Sequence, residues 1–231
     1  NGHKEYLRID GGKKRIFFDI SGTRKNYGDY NDGGGNKIYS SFNKYSYKAQ
    51  LGFIPSKNHL VYLSYGEYHA RDVRYPALQM DEREDNTRLM SLDYKGVNFN
   101  KWLKEVKFKV YESSVEHLMD NFYRGMSDTV ATYVLVDPIN TGGRLEGLLE
   151  FNKHKFIVGA DYESILKDGT RRKNMIGMMP NAGGSYNIKT EKLWSEAKIN
   201  NLGIFSEYNS VYGAYELMGV ARIDFNSATS D

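Results

Sequence analysis

Lys44-Tyr45-Ser46-Tyr47-Lys48-Ala49-Gln50-Leu51-Gly52-Phe53 alternates without a break. Tyr45, Tyr47, Ala49, Leu51 and Phe53 hold the odd positions; Lys44, Ser46, Lys48, Gln50 and Gly52 hold the even ones. Successive side chains of a strand point to opposite faces, so this period of two sends one apolar set to one side. Pro55-Ser56-Lys57-Asn58 then supplies a turn. The pattern recurs along the chain. Met90, Leu92 and Tyr94 face away from Leu89, Ser91, Asp93 and Lys95, and Trp102, Val106, Phe108 and Val110 oppose Lys107, Lys109 and Tyr111. Leu145, Gly147, Leu149 and Phe151 oppose Arg144, Glu146, Leu148 and Glu150, and Phe156, Val158, Ala160 and Tyr162 oppose Lys155, Ile157, Gly159, Asp161 and Glu163. A last strand near 214–226 sets Tyr215, Leu217, Ala221, Ile223 and Phe225 against Glu216, Arg222 and Asp224.

The connections sort by length. Short ones fall at Gly11-Gly12, 55–58, 98–100, 152–154 and 210–213; long ones run roughly over 25–36, 70–86, 115–141 and 168–200. Short turns at one end and long loops at the other mark a barrel of the bacterial outer membrane. A soluble sandwich shares the alternation but not the sorting. Strands of roughly 10–18 residues exceed the ~5–6 of ordinary sheets and suffice for a tilted membrane crossing. The expected fold is all-β, an antiparallel transmembrane β-barrel, with residues 1–231 supplying about ten strands, an even number. The tail 226–231 reads as the start of another outer loop, and no initiating Met or export signal is present, so the chain reads as a piece of a longer or processed protein.

Composition agrees. Nineteen Tyr stand against 2 Trp and 4 Pro, and no run of roughly 18 apolar residues offers a transmembrane helix. The absence of Cys excludes disulfides and thiolate metal sites within this chain. A net charge of +3 mixed with 29 acidic residues carries no nucleic-acid signal.

Soft metal ligands are the sharpest chemical feature. His117 and Met119 stand two apart where a strand leaves for a long loop, so both point to one face. Imidazole with thioether suits copper, and thioether favours Cu(I). Two ligands are incomplete, and others must come from elsewhere. Met175, Met178 and Met179 follow Arg171-Arg172-Lys173 in a polar stretch; they read either as a copper-recruiting surface or as packing within a folded loop. Asp81, Glu82, Glu84 and Asp85 make an acidic loop, which reads either as cation-binding or, more plainly, as solvated. His69, Asp72 and His117 fall at the same outer rim, which leaves a ten-strand surface protease as an alternative.

Two segments resemble a known family. Asp72-Val73-Arg74-Tyr75-Pro76-Ala77-Leu78-Gln79-Met80-Asp81, then Asp85-Asn86-Thr87, resembles the YPALxMD…DxT segment of TonB-dependent copper receptors. His117-Leu118-Met119-Asp120-Asn121 is similar to their HxMDN segment. Leu202-Gly203-Ile204-Phe205-Ser206-Glu207-Tyr208 and Gly219-Val220-Ala221-Arg222-Ile223-Asp224 resemble a hairpin common to TonB-dependent receptors at large. The resemblance implies a barrel of roughly 22 strands closed by an N-terminal plug, with the plug and the other strands outside this chain. It implies import of copper as transported substrate, with His117 and Met119 as ligands and a Cys and a Met supplied by the plug. It implies a TonB-type inner-membrane energising complex, outer-membrane lipid and lipopolysaccharide as surroundings, and no catalysis. Relatives of this pattern import iron-siderophores or other organic chelates, which is the rival substrate class.

Overall fold

Alternation becomes pairing in the computed structural model of the protein, which describes residues 2–175 and 188–230, apart from the side chain of Met126. Thirteen strands follow in order among the described residues. They are β1 Gly2–Lys13, β2 Ile16–Tyr27, β3 Tyr30–Asn31, β4 Lys37–Ile38, β5 Phe42–Ser56, β6 His59–Val73, β7 Asp81–Val97, β8 Leu103–Asp120, β9 Val130–Val136, β10 Ile139–Phe151, β11 His154–Met175, β12 Ile188–Tyr212 and β13 Tyr215–Thr229. One 3-10 turn, Gly125–Asp128, precedes β9. Ten long strands form one antiparallel meander in the order β1-β2-β5-β6-β7-β8-β10-β11-β12-β13, with β9 added between the outer ends of β8 and β11. β3 and β4 make a separate two-residue pairing inside the first long loop.

The register separates two faces. Cross-strand partners share a face, and the pairs Lys107↔Glu146, Arg144↔Asp161 and Phe205↔Arg222 carry the charged face across β8, β10, β11, β12 and β13. That face is laced by ion pairs. Lys107 Nζ reaches Glu105 at 2.9 Å and Glu146 at 3.1 Å, and Lys109 Nζ reaches Asp93 at 3.2 Å. Arg222 holds Asp161 through both guanidinium ends at 2.8 Å each.

The opposite face is apolar and uncovered. Leu63 is 54% exposed and Ile204 52%, while Ala70 and Val73 are the buried apolar residues among those described. A sandwich would bury this face against a second sheet. Here the apolar face has no such cover, the arrangement of the lipid-facing side of a membrane barrel. The apolar belt has edges. Beyond Leu63 and Tyr65 the outward residues of β6 become Glu67, His69 and Arg71; beyond Leu92 and Met90 those of β7 become Arg88, Asn86 and Glu84. At the short-turn end stand rings. His59 Nδ1 and Tyr94 Oη are 2.8 Å apart with Phe99 edge-on, and His154 Nδ1 and Tyr208 Oη are 2.8 Å apart with Tyr212 edge-on. Amphipathic rings suit a membrane–water boundary.

Three expectations are corrected. The first turn is Lys14-Arg15, with Lys14 at φ 54°, and Gly11-Gly12 lies inside β1 opposite Phe18 and Phe17. The long connections are shorter than their composition suggests, because strands run on beyond the apolar belt: β7 starts at Asp81, β11 reaches Met175, and the run expected to open an outer loop after 226 continues as β13 to Thr229. Finally, Val130-Ala-Thr-Tyr-Val-Leu-Val136 is a strand within a stretch expected to be loop; its β-branched composition is the signal for it.

Glycine has a specific use on the charged face. Phe17 pairs with Gly52 and Phe205 with Gly159, and each ring lies over the glycine opposite. A Cβ at Gly52 would come within 2.0 Å of the Phe17 ring, and one at Gly159 within 2.3 Å of Phe205. Gly52→Val and Gly159→Val are each expected to destabilise the wall by about 1–3 kcal/mol through overpacking. Heat-induced loss of β-structure in detergent measures this, and an unchanged midpoint would contradict it.

Candidate metal centre

β8 keeps its parity from Glu105 to Asp120 against both neighbours; the one slip near its outer end belongs to β7, where Arg83 is the extra residue between Glu82 and Glu84. His117 and Met119 therefore share the charged face with Lys107, Lys109 and Tyr111, the side that a closed barrel turns to its lumen. Their Cα atoms lie roughly 7 Å apart along the strand.

The imidazole is oriented. Asp85 pairs with His117 across the ladder, and its Oδ2 lies 2.9 Å from His117 Nδ1. A carboxylate accepts only, so Nδ1 is the donor, and in the neutral ring this places the lone pair on Nε2. Asp85 is itself fixed by Thr87 Oγ1, which donates to Oδ1 at 2.8 Å. This carboxylate–imidazole arrangement is the one that orients metal-binding histidines. Met119 pairs with Glu82 on one side and Val134 on the other, which places its thioether on the same wall one step further out.

Beyond Met119 the two motif segments interlock. Asp81 and Asp120 are register partners, 4% and 3% exposed, so two carboxylates face each other out of water. Each has its own guanidinium. Arg124 bonds Asp81, and Arg83 Nε donates to Asp120 Oδ2 at 2.8 Å. Tyr75 N donates to Asp81 Oδ1 at 3.0 Å, and Arg124 Nη2 donates to the Tyr75 carbonyl at 2.9 Å. Burial raises the Tyr75 phenol above its ordinary range and the nearby Glu82 carboxylate adds to this, so Tyr75 stays neutral and donates to Glu82. Asn121 closes the other side, with Nδ2 donating to the Val130 carbonyl and Oδ1 accepting from Thr132 N, both at 2.8 Å. The acidic stretch expected as a solvated loop is thus the start of β7, and its first two carboxylates are buried.

The remaining candidates separate. Met175 pairs with Val130, six residues along β9 from the Val136 that pairs with His117, about 20 Å away along the strand. Met178 and Met179 lie outside the described residues. His69 pairs with Asn86 while His117 pairs with Asp85, so adjacent β7 residues send the two histidines to opposite faces. His69 is held outward by Asn86 Oδ1 at 2.8 Å and by a stacked Tyr45 ring. His69 and His117 thus do not share a face, and Asp72 stands near the outer end of β6 at φ 50°. Asp85 is the residue that sequence reasoning missed. Its phase with Thr87, Leu89 and Ser91 is the available signal, hidden by the surrounding charges.

No protein-family model matches the chain, and no curated protein matches it by sequence. Solved structures do. The copper transporter OprC superposes with a TM-score of 0.86 at 22% identity over 99% of this chain and 36% of its own. BauA, the ferric preacinetobactin receptor of Acinetobacter baumannii, gives 0.63 at 12% identity over 97% of this chain and 42% of its own. The siderophore receptor PiuA of Acinetobacter baumannii gives 0.60 at 10% identity over 99% and 44%. The chain thus spans less than half the length of each. With its uncovered apolar belt, its aromatic boundary and this likeness, the chain has the fold of the barrel wall of TonB-dependent outer-membrane receptors.

Proposed function

We propose that this wall belongs to an outer-membrane receptor that imports copper, with His117 and Met119 as ligands on the lumen side. The carrying observation is the Asp85–His117 hydrogen bond, which leaves Nε2 open beside a thioether on the same face. Nitrogen with thioether sulfur selects a soft or borderline ion over a hard one. The remaining ligands come from outside this chain, on a plug that a TonB-type complex of the inner membrane energises. Met175 belongs to no shared site with this pair, and the protein is a transporter without catalytic residues. Lipid covers the apolar belt, and lipopolysaccharide meets the polar outward residues of β6 and β7.

The test is metal analysis of the full-length receptor after loading with Cu(I), wild type against a His117→Ala/Met119→Ala double variant. Stoichiometric copper in the wild type and its loss in the variant is the expected result. No copper in either protein would overturn the reading and move the substrate to an organic chelate such as an iron-siderophore.

A further inference from the structure

The lumen face treats its cations in two ways. In the lower wall most are paired with carboxylates, as Lys107 is with Glu105 and Glu146, Lys109 with Asp93, and Arg222 with Asp161 and Asp224, Lys48 being an exception. Near the outer end of β1, β2 and β5 the pattern breaks. Lys4 pairs with Lys25, and Lys25 with Lys44, so three lysines stand side by side on one face. Among the described residues none of the three makes an ion pair. Like charges directly opposite destabilise a ladder, and two inter-strand steps place the first and third Cα only about 10 Å apart. The arrangement costs stability that no ion pair to these lysines returns among the described residues.

The next row is polar and uncharged. Tyr6, Thr23, Ser46 and Tyr68 are register partners across β1, β2, β5 and β6, on the same face as the lysines. Two of the lysines, Lys25 and Lys44, line a cleft of about 430 Å³ together with Thr23, Ser46 and Tyr68, and the carboxylates of Glu82 and Asp85 line it as well. The lysine row continues through Ala70 to Asp85 and His117, so it stands level with the candidate metal ligand, three inter-strand steps or about 14 Å from Lys44.

We propose that this strip is an anion-binding site for a small oxyanion carrying several carboxylates or phosphates. Three ammonium groups at strand spacing match an anion with several charged groups a few ångströms apart, and the hydroxyl row supplies donors beside them. The assignment stands on the lysine row and does not require copper at His117.

Equilibrium binding to the full-length receptor in detergent tests it, with citrate and inorganic phosphate as the two probes. Wild type is compared with a Lys4→Gln/Lys25→Gln/Lys44→Gln variant. The expected result is saturable binding that weakens as salt rises and falls at least tenfold in the variant. Tighter binding of citrate assigns carboxylate, and tighter binding of phosphate assigns phosphate. Relief of the lysine repulsion is expected to raise the variant's thermal midpoint without ligand, which excludes misfolding as the cause of lost binding. Copper loading of the same variant is expected to equal wild type, so failure of the copper reading registers separately. Absence of binding to wild type, as when acidic side chains from beyond this chain fill the strip, would overturn the proposal, as would equal affinity in the variant.

Discussion

Asp81→Ala is expected to cost about 3–5 kcal/mol at the outer end of β7, the range for removing one partner of a buried ion pair. The Asp81 and Arg124 side chains are only 6% and 20% exposed. Arg124 Nε is already buried without an acceptor, and once Asp81 is gone the guanidinium keeps only the Tyr75 carbonyl and no carboxylate. The substitution also frees Tyr75 N, which donates to the same oxygen. Loss of repulsion with Asp120 returns part of this, but an unpaired buried guanidinium outweighs it because desolvation falls on the whole charge. The effect is local. Hydrogen exchange at Tyr75, Leu78, Asn121 and Arg124 is the sensitive readout, since their amides donate within this cluster or the turns beside it. Faster exchange there with unchanged exchange in β10 to β12 is the expected outcome. Unchanged protection of the four amides would show that the paired carboxylates do not hold the two segments together.

Asp85→Ala is expected to weaken copper binding 10–100-fold, the usual loss when the partner that orients a metal-binding histidine is removed. This corresponds to about 1.4–2.7 kcal/mol. The imidazole would lose the acceptor that fixes its tautomer and ring orientation, while His117 and Met119 stay in place on β8. Asp85→Asn keeps an acceptor without the charge and is expected to fall between wild type and Asp85→Ala. Competition against a Cu(I) chelator measures both. Affinities within twofold of wild type in both variants would show that Asp85 does not tune the site. The result separates orientation from coordination, because loss of His117 and Met119 removes copper altogether whereas loss of Asp85 leaves a weaker site.

These experiments also show how far the one-dimensional pattern reaches. The assignment of Tyr45, Tyr47, Leu51 and Phe53 to one face and of Lys48 and Gln50 to the other needs only the period of two, and the register agrees. Strand ends carry less signal. Above the apolar belt both faces are polar, so β7 from Asp81 to Arg88 shows no alternation, and backbone pairing alone carries it onward. The first turn escapes the pattern for a related reason. Gly11-Gly12 has turn composition, but its glycines accommodate Phe18 and Phe17 across the ladder, and Lys14 takes the left-handed conformation instead.

By itself the sequence determined the face each regular strand presents, including the shared face of His117 and Met119, because this depends only on local periodicity; the class of wall needed the sorting of the connections by length as well. The tertiary structure alone decided which strands' residues meet. Asp85 beside His117, the Asp81–Asp120 pair with its two arginines, and the row of Lys4, Lys25 and Lys44 all join residues from different strands. Such contacts depend on register, and a slip of one residue would send every one of these groups to the other face.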